Sequence, residues 1–447
     1  MLIEIHAIQN HSPANLNRDD LEAPKTCYFG GVLRSRISSQ CLKRSIRLSK
    51  EFENLLGGVR TRRLAEEIDQ KIASINPNKK MKDRIENILD KCGIKPKPSK
   101  SKKNVDGEVN DDNDDDSGTD SDSAKSSKML VYTTQEAIDE MAKLLLNEQG
   151  KDDKILAKEF ARLIAELTVA PDMALCGRML EPSKNAKSWE NLNTQVEAAL
   201  QVAHAISTHE ARLEIDYYVA ADDIPGEDAG AGYLDEAMFT SACFYKYFSI
   251  NWETLLANLK GNQKLAAHTV GAFIKAAALV NPTGKQNSFA AHNPPSCLVI
   301  ELKKKNTPVN YANAFAKPVN QDDDRDLIWQ SIVQLATYIN DIDKGYGRPD
   351  YRLWFSPNGR YSPKNIDDGL KATAAANVAV DSATANVAID SAAANVVDSD
   401  VTSLDETLSN LIEKLGKEIN HPDLTWEEVQ KEVLNIKSIV TIRNRRG

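Results

Sequence analysis

The sequence predicts an α+β fold, and three observations carry that expectation. Segments with alternating hydrophobicity take turns along the chain with segments of helical period. Loops bearing glycine, asparagine and proline separate them. The clearest elements follow in the order strand, helix, strand, strand, helix, strand. At 447 residues, 41% hydrophobic and 27% charged, the chain can bury a large core and hold two or three domains.

Met1 to Asn10 is mostly apolar, with Ile3, Ile5 and Ala7 alternating, and reads as a strand. A polar loop follows, and at Gly30-Gly31 its backbone can pass close to another molecule. Ser38 and Ser39 are suited to cap the next helix. On it Leu42, Ser45, Ile46, Ser49, Phe52 and Leu56 fall on one side, and Lys43, Arg44, Arg47 and Lys50 on the other. Thr61 to Lys91 reads as two helices, through Ile68, Ile72 and Ile75 and then Ile85, Ile88 and Leu89. Residues 95–128 turn first to lysine and proline and then to Asp, Ser, Asn and Gly. This composition cannot bury enough apolar surface to order itself, so a disordered insertion is expected.

Ala137 to Leu146 is an amphipathic helix. A second helical run carries Lys154, Lys158 and Arg162 at i, i+4 and i+8. Cys176 to Pro182 is a glycine-containing loop that presents Met179. Gln195 to Thr208 is expected to be an apolar helix holding His204, and Ile215 to Val219 a strand. Residues 220–238 form a loop longer than a hairpin needs, with the returning strand at Phe239 to Ile250. Asn251 is placed to cap a short helix from Trp252; Lys264 to Val280 is a long alanine-rich helix and Cys297 to Leu302 a strand.

This is the ferredoxin-like order shared with RRM domains. It carries a large helical insertion after the first helix and a long loop at the tip of the central hairpin. Beyond it lie a helix at Asp324 to Ile342 and a short strand at Tyr351 to Phe355. Residues 361–402 read as a low-complexity linker, in which a nine-residue unit recurs between Asn377 and Ser399. Leu404 to Leu415 and Trp426 to Ile439 are expected as helices within a C-terminal region, 403–447.

Six cysteines are scattered without CxxC spacing, which argues against a zinc site or a disulfide framework and for a reducing cytosol. No apolar run reaches about 18 residues, so no membrane span is expected. No metal or cofactor is expected, and His204 and His209 read as packed or capping residues.

Function is most legible in the first fifty residues. Strand, loop and helix present Arg18, Lys25, Arg34, Arg36, Lys43, Arg44 and Arg47 beside the small donors Ser38, Ser39 and Gln40, in a chain of net charge -9. A solvated helix face would look the same by periodicity alone. Extension of the cations into the loop instead suits a polyanion. The first strand offers no aromatic pair for stacking bases, so an RNA would lie along the Gly-Gly loop and basic helix, held by phosphate and sugar contacts. Met179 fits either a core or a wedge between bases, and the Lys154 stripe either a solvated face or a duplex backbone.

Asn10-His-Ser-Pro13, Leu16-Asn-Arg-Asp-Asp20, Phe29-Gly-Gly31, Arg36-Ile-Ser-Ser-Gln40 and Leu42-Lys-Arg44 resemble the N-terminus of the CasC-type backbone subunits. These form the "Cas-seven" family of Cascade, the type I-E CRISPR surveillance complex. Ala203 to His209, Ile215 to Tyr218, Asp222 to Ile224, Phe244 to Tyr247 and Ala290 to Pro294 resemble its later landmarks. The resemblance implies a palm (1–56, 196–219 and 239–360), a helical finger domain (57–195) and a thumb (220–238).

It also implies a non-catalytic protein that polymerises with further copies of itself along CRISPR RNA, beside other Cascade subunits and target DNA. By position, Arg18, Lys25, Ser38, Gln40, Lys43, Arg44 and Arg47 would contact the RNA backbone. Met179 would be a wedge, Tyr217 and Tyr218 the thumb base, and Lys154, Lys158 and Arg162 the DNA contacts. The Asp-rich insertion, the repeats and the tail beyond about 418 depart from the family. The alternative is a metal-dependent endoribonuclease cutting target RNA at regular spacing through Asp19 or Asp20, which share a loop with His11. A processing nuclease would instead need a general base, for which His6 and His11 qualify only by type. An RNA-independent scaffold is a third reading.

Overall fold

Alternation at the start of the chain forms a strand that runs four residues further than the sequence predicts. In the computed structural model, β1 (Leu2–Ala14) is followed by a hairpin of β2 (Thr26–Phe29) and β3 (Val32–Ile37), then by α1 (Ser39–Arg47) and α2 (Lys50–Glu53). Next come β4 (Gly58–Thr61), α3 (Leu64–Ile75), α4 (Lys82–Lys91), β5 (Val131–Thr134), α5 (Gln135–Asn147), α6 (Asp153–Glu166), α7 (Pro171–Cys176), β6 (Arg178–Met179) and β7 (Gln195–Val196). The remainder comprises β8 (Leu200–Val202), β9 (Ala205–Ser207), β10 (Glu214–Ala220), β11 (Tyr233–Asn251), α8 (Trp252–Asn258), α9 (Gln263–Leu279) and α10 (Gln286–Phe289). It ends with β12 (Cys297–Lys303), α11 (Leu327–Tyr346), β13 (Tyr351–Phe355), β14 (Ser399–Val401) and α12 (Leu404–Glu418).

The structure describes residues 1–53, 55, 57–94, 129–183, 186–220, 233–305, 307–320, 325–362, 399–401, 403–421 and 424–428. The insertion at 95–128, the repeats up to residue 398 and the tail from 429 lie outside the described residues. The described residues divide into two units: those within 1–56 together with those from 198 to 428, and those within 57–197.

The first unit is α+β, built on a ten-stranded sheet in the order β14-β13-β12-β1-β11-β9-β3-β2, with β8 and β10 also pairing β11. β1 is antiparallel to β11 on one edge and β12 on the other. The central strands β12, β1, β11 and β8–β9 thus lie in the spatial order four, one, three, two.

The second core strand is not where the sequence predicts it. Residues 195–208 hold three short strands rather than a helix, and β8 and β9 pair Phe248↔Val202 and Phe244↔Ser207 along β11. The free edge of β11 needs backbone partners, and satisfying it outweighs the helix propensity of this Ala- and Leu-bearing stretch. The strand expected at 215–219 instead pairs only the outer part of β11, Ile215↔Met238 to Ala220↔Tyr233. Residues 233–238 of the expected 220–238 loop are therefore strand; residues 221–232 lie outside the described residues. Residues 399–401 of the expected linker pair parallel to β13.

Two further differences concern the N-terminal region. The Gly-Gly loop is the two-residue turn of the β2–β3 hairpin, with φ of +63° at Gly30 and +83° at Gly31, as the right-handed twist of paired strands favours. A Cβ on Gly30 would stand 1.7 Å from the Ala316 carbonyl oxygen. The helix expected to run to Leu56 breaks after α1 at Leu48, where the Ser49 hydroxyl bonds the Ile46 carbonyl. Its apolar side is as the spacing requires, with Leu42, Ile46 and Phe52 buried.

Both faces of the sheet are covered. Ile5 pairs with Phe248, whose ring meets Phe273 of α9 edge-on. On the opposite face Ile8, Tyr245, Val299 and Trp354 pack against Trp329, Ile332, Leu335 and Ile339 of α11. A charged network lies under α11. Arg352 donates to Glu301 (2.7 Å) and to both Asp343 oxygens (2.7 and 2.9 Å). Lys303 bridges Glu4 and Glu301, and the Tyr247 and Tyr311 hydroxyls donate to Glu4 and Glu301. The His6 ring stacks on Tyr311 at 4.4 Å. Burial works against the Glu301 carboxylate, but the cations of Arg352 and Lys303 outweigh it and hold its pKa at about 2.

In the second unit α3, α4, α5 and α6 enclose Ile68, Ile72, Ile85, Ile88, Met141, Leu145, Phe160 and Ile164. β4 and β5 form a small antiparallel pair. Among the described residues no helix is long and apolar enough to cross a membrane. In the first unit Trp426 stacks on His268 of α9 and covers Gly271, where a Cβ would come within 2.2 Å of the indole.

Replacing Arg352 by methionine leaves Glu301 and Asp343 without their main buried partner. Urea unfolding should show a loss of about 3–5 kcal/mol.

Burial keeps His6, His11 and His268 neutral in the fold, with pKa values lowered to about 3, 3 and 4. The unfolded chain therefore binds more protons below pH 6.5, and stability falls as pH drops from there toward 4. The expected slope is about 1.4 kcal/mol per pH unit for each such histidine. Glu301 adds to the loss below its ordinary value. Glu4, raised by burial, acts in the opposite direction. Urea midpoints at pH 7 and pH 5 measure the slope, and His268→Phe should make it shallower.

Candidate nucleic-acid interface

The basic corner forms where β3 runs into α1. The Ser38 hydroxyl accepts the Cys41 N–H and caps the helix, while the Ser38 N–H donates to Asn17 Oδ1 (2.8 Å). The loop before it is folded back on β3. Lys25 N–H donates to the Asn17 carbonyl (2.9 Å), and Arg36 N–H to the Lys25 carbonyl (2.8 Å). Asp19 Oδ1 closes the turn by accepting from Leu21 and Ala23.

These bonds bring Lys25, Arg36 and Lys43 around His204. Arg36 Nη1 lies 2.9 Å from His204 Nδ1, and burial, then Arg36, Lys25 and Lys43, lower the imidazole pKa. Arg44 is exposed on the outer side of α1, and Arg47 is half-buried in its last turn. Gln40 is exposed. Arg18 is half-buried and pairs with Glu22 at 3.3 Å.

Arg34 does not belong to this surface. It is fully buried and donates Nε to the Phe29 carbonyl, Nη1 to Ser207 and Nη2 to Phe315, tying the hairpin to the sheet. Carbonyls that converge in the interior claim its donors. Ser38 is also nearly buried, its hydroxyl taken by the cap. His209 is a packed residue, whose Nε2 accepts the Cys243 N–H.

Met179 is 72% exposed between the buried neighbours Arg178 and Leu180, so it is not a core methionine. Leu213 just before β10 and Ile215, Tyr217 and Val219 on it are exposed, and the Tyr218 hydroxyl donates to Asp235 across the hairpin (2.7 Å). Lys154 and Lys158 are exposed on α6. Arg162, on the same stripe, is held by Glu159 at 2.8 Å and Glu166 at 3.0 Å. Among the described residues no three His, Cys, Asp or Glu gather as a metal site.

Lys246 of the corner escaped the sequence reading, and His11, named there only beside Asp19 and Asp20 and as a base by type, has a different setting. His11 lines a cleft with Asn17, Lys25, Ser35, Arg36 and Thr240, and neither ring nitrogen makes a hydrogen bond among the described residues. Lys246 is buried on β11 and donates to Gln9 Oε1; burial lowers its pKa to about 8. The signal for Lys246 was a single charge inside Phe244-Tyr-Lys-Tyr-Phe248. Nothing in the pattern marked His11 as unpartnered.

An antiparallel sheet of ferredoxin-like order, interrupted by a helical unit and carrying an outlying hairpin, defines the architectural class. Residues 3–382 match the model of the CT1975-like proteins, so the chain belongs to that family and is a Cas-seven-type protein. Among solved structures, a chain of a "CRISPR RNA-guided surveillance complex, pre-nicking" is 26% identical with a TM-score of 0.63. The match covers 83% of this chain and 100% of that one. A chain of a "CRISPR RNA-guided surveillance complex" is 22% identical over the same shares, with a TM-score of 0.47. No curated protein matches the chain.

Arg34 and Arg44 should separate in their effect on stability. Arg34→Met removes the donor from two buried carbonyls and a third that is part-buried, and should cost about 2–4 kcal/mol in urea unfolding. Arg44→Ala should stay within about 0.5 kcal/mol.

Proposed function

We propose that the chain is a non-catalytic, cytoplasmic CRISPR RNA-binding backbone subunit of a type I-E Cascade. It polymerises with further copies of itself along the guide and supports target DNA recognition by base pairing. The observation that carries this reading is the convergence of Lys25, Arg36 and Lys43 at the β3–α1 corner, continued along the helix by Arg44 and Arg47. Phosphate contacts position a strand without reading it, which is what a carrier of arbitrary guide sequences requires. The central strands of the sheet are covered on both faces, which favours backbone contacts over base stacking there. Membership of the CT1975-like family and the likeness to a surveillance-complex chain support the same reading.

Arg18, Lys25, Gln40, Lys43, Arg44 and Arg47 hold the RNA backbone in this proposal, and Ser38 acts mainly by fixing the start of α1. The exposed Met179 is the wedge, and Tyr217 and Tyr218 form the base of the thumb. Lys154 and Lys158 meet target DNA; Arg162 joins them only after release from Glu159 and Glu166. Asp19 is engaged in closing its own turn, which favours a structural over a catalytic role for that loop.

Changing Lys43, Arg44 and Arg47 together to glutamate should abolish CRISPR RNA loading and leave the monomer folded by circular dichroism. Alanine at the same three positions should reduce the slope of log K against log salt by about 2. Unchanged loading at physiological salt would overturn the assignment. Regular cuts in a complementary RNA with magnesium, lost in Asp20→Ala, would replace it with an endoribonuclease.

A second measurement addresses the finger. Duplex binding by Lys154→Ala/Lys158→Ala should weaken by about tenfold at low salt, and Arg162→Ala should do less, because that cation is already neutralised.

A further inference from the structure

We propose that the cleft beneath the basic corner receives a ribose 2′-hydroxyl, with His11 as the residue that recognises it, so that this site distinguishes RNA from DNA. The inference rests on the RNA-binding reading above and adds the group that selects the sugar.

Four observations lead there. His11 is 1% exposed, yet neither Nδ1 nor Nε2 meets a hydrogen-bond partner among the described residues, an arrangement that is costly without a visiting polar group. The backbone of Ala291 lies beside the ring, short of hydrogen-bond geometry for either nitrogen. His11 lines a cleft that also includes Lys25 and Arg36, two cations of the corner. The space inside is about 20 Å³, room for one water-sized group and not for a base or a phosphate.

The chemistry of the ring selects among small groups. Burial first, and then the cation of Lys246, hold the imidazole neutral, with a pKa of about 3. A neutral imidazole offers one N–H and one lone pair. A hydroxyl can donate or accept, so it can meet whichever ring nitrogen faces the cleft. A phosphodiester oxygen only accepts, so it can use the N–H but not the lone pair, and the neutral ring offers it no countercharge. With a phosphate on Lys25 and Arg36, the neighbouring ribose comes to the mouth of the cleft and can direct its 2′-hydroxyl inward. DNA has no such group, so its binding leaves the ring unpartnered.

The test begins on the nucleic acid, where folding of a variant is not at issue. Wild-type protein is titrated at one salt concentration with a single-stranded RNA, the same sequence as DNA, and RNA carrying single 2′-deoxy or 2′-O-methyl positions. RNA should bind about tenfold more tightly than DNA, roughly the worth of one well-placed hydrogen bond. Single deoxy positions should reproduce the loss only at particular nucleotides, and a 2′-O-methyl group there should weaken binding further, because the cleft has no room for it.

His11→Leu should lower RNA binding to the DNA level with DNA binding unchanged, whereas His11→Gln, which keeps a donor and an acceptor, should restore part of the preference. Equal affinity for RNA and DNA in the wild type overturns the hydroxyl assignment and leaves the RNA-binding surface standing. A preference that survives in His11→Leu overturns the role of His11. Failure of either nucleic acid to bind removes the underlying reading and the inference with it.

Discussion

Pairing of β1 on both edges is the constraint from which the rest of the first unit follows. A strand hydrogen-bonded to β11 and to β12 and covered on both faces has no solvent side, so every residue from Leu2 to Gln9 must be accommodated inside. Apolar Ile3, Ile5 and Ala7 are simple to place. Glu4 and His6 are not, and the opposite face answers them with Lys303, Arg352, Tyr247 and Tyr311. The ion network under α11 is thus the counterpart of two polar residues on a central strand. A network of this sort specifies one register, because a shift by one residue would set Glu4 against apolar neighbours and strand Arg352.

The same constraint directs binding to the edge of the molecule. With its faces closed, the sheet offers ligands only its margins, and the β2–β3 hairpin and the start of α1 lie at one of them. Arg34 fastens the hairpin from inside while Arg36 and Lys25 look outward. Arginines two residues apart therefore have opposite tasks, one holding the scaffold and the other available to a partner.

What could be read from the sequence followed local periodicity. Leu42, Ile46 and Phe52 on one side of a helix, and Ile68, Ile72, Ile85 and Ile88 in the inserted unit, were legible because their spacing alone buries them. Residues 195–208 were not, since their Ala, Leu and Val content suits either period and the unfilled edge of β11 made the choice. The Gly-Gly turn was legible as a special backbone position but not as a hairpin, because Thr26 to Ile37 lacks clean alternation. In the site, the cations were visible by type. Their availability was not: Arg34 is spent on carbonyls and Arg162 on carboxylates, and only three-dimensional neighbours reveal that.

Trp426 over Gly271 gives the C-terminal region a different standing from that of an appendage. The family match ends at residue 382, yet α12 buries Leu408, Leu411, Ile412 and Leu415, and the indole fills the place of a missing side chain on α9. A chain shortened to the matched span would uncover the alanine-rich flank of that helix and acquire a sticky apolar strip. For anyone trimming this protein for expression or fusing a reporter to it, the stopping point dictated by structure lies past Trp426.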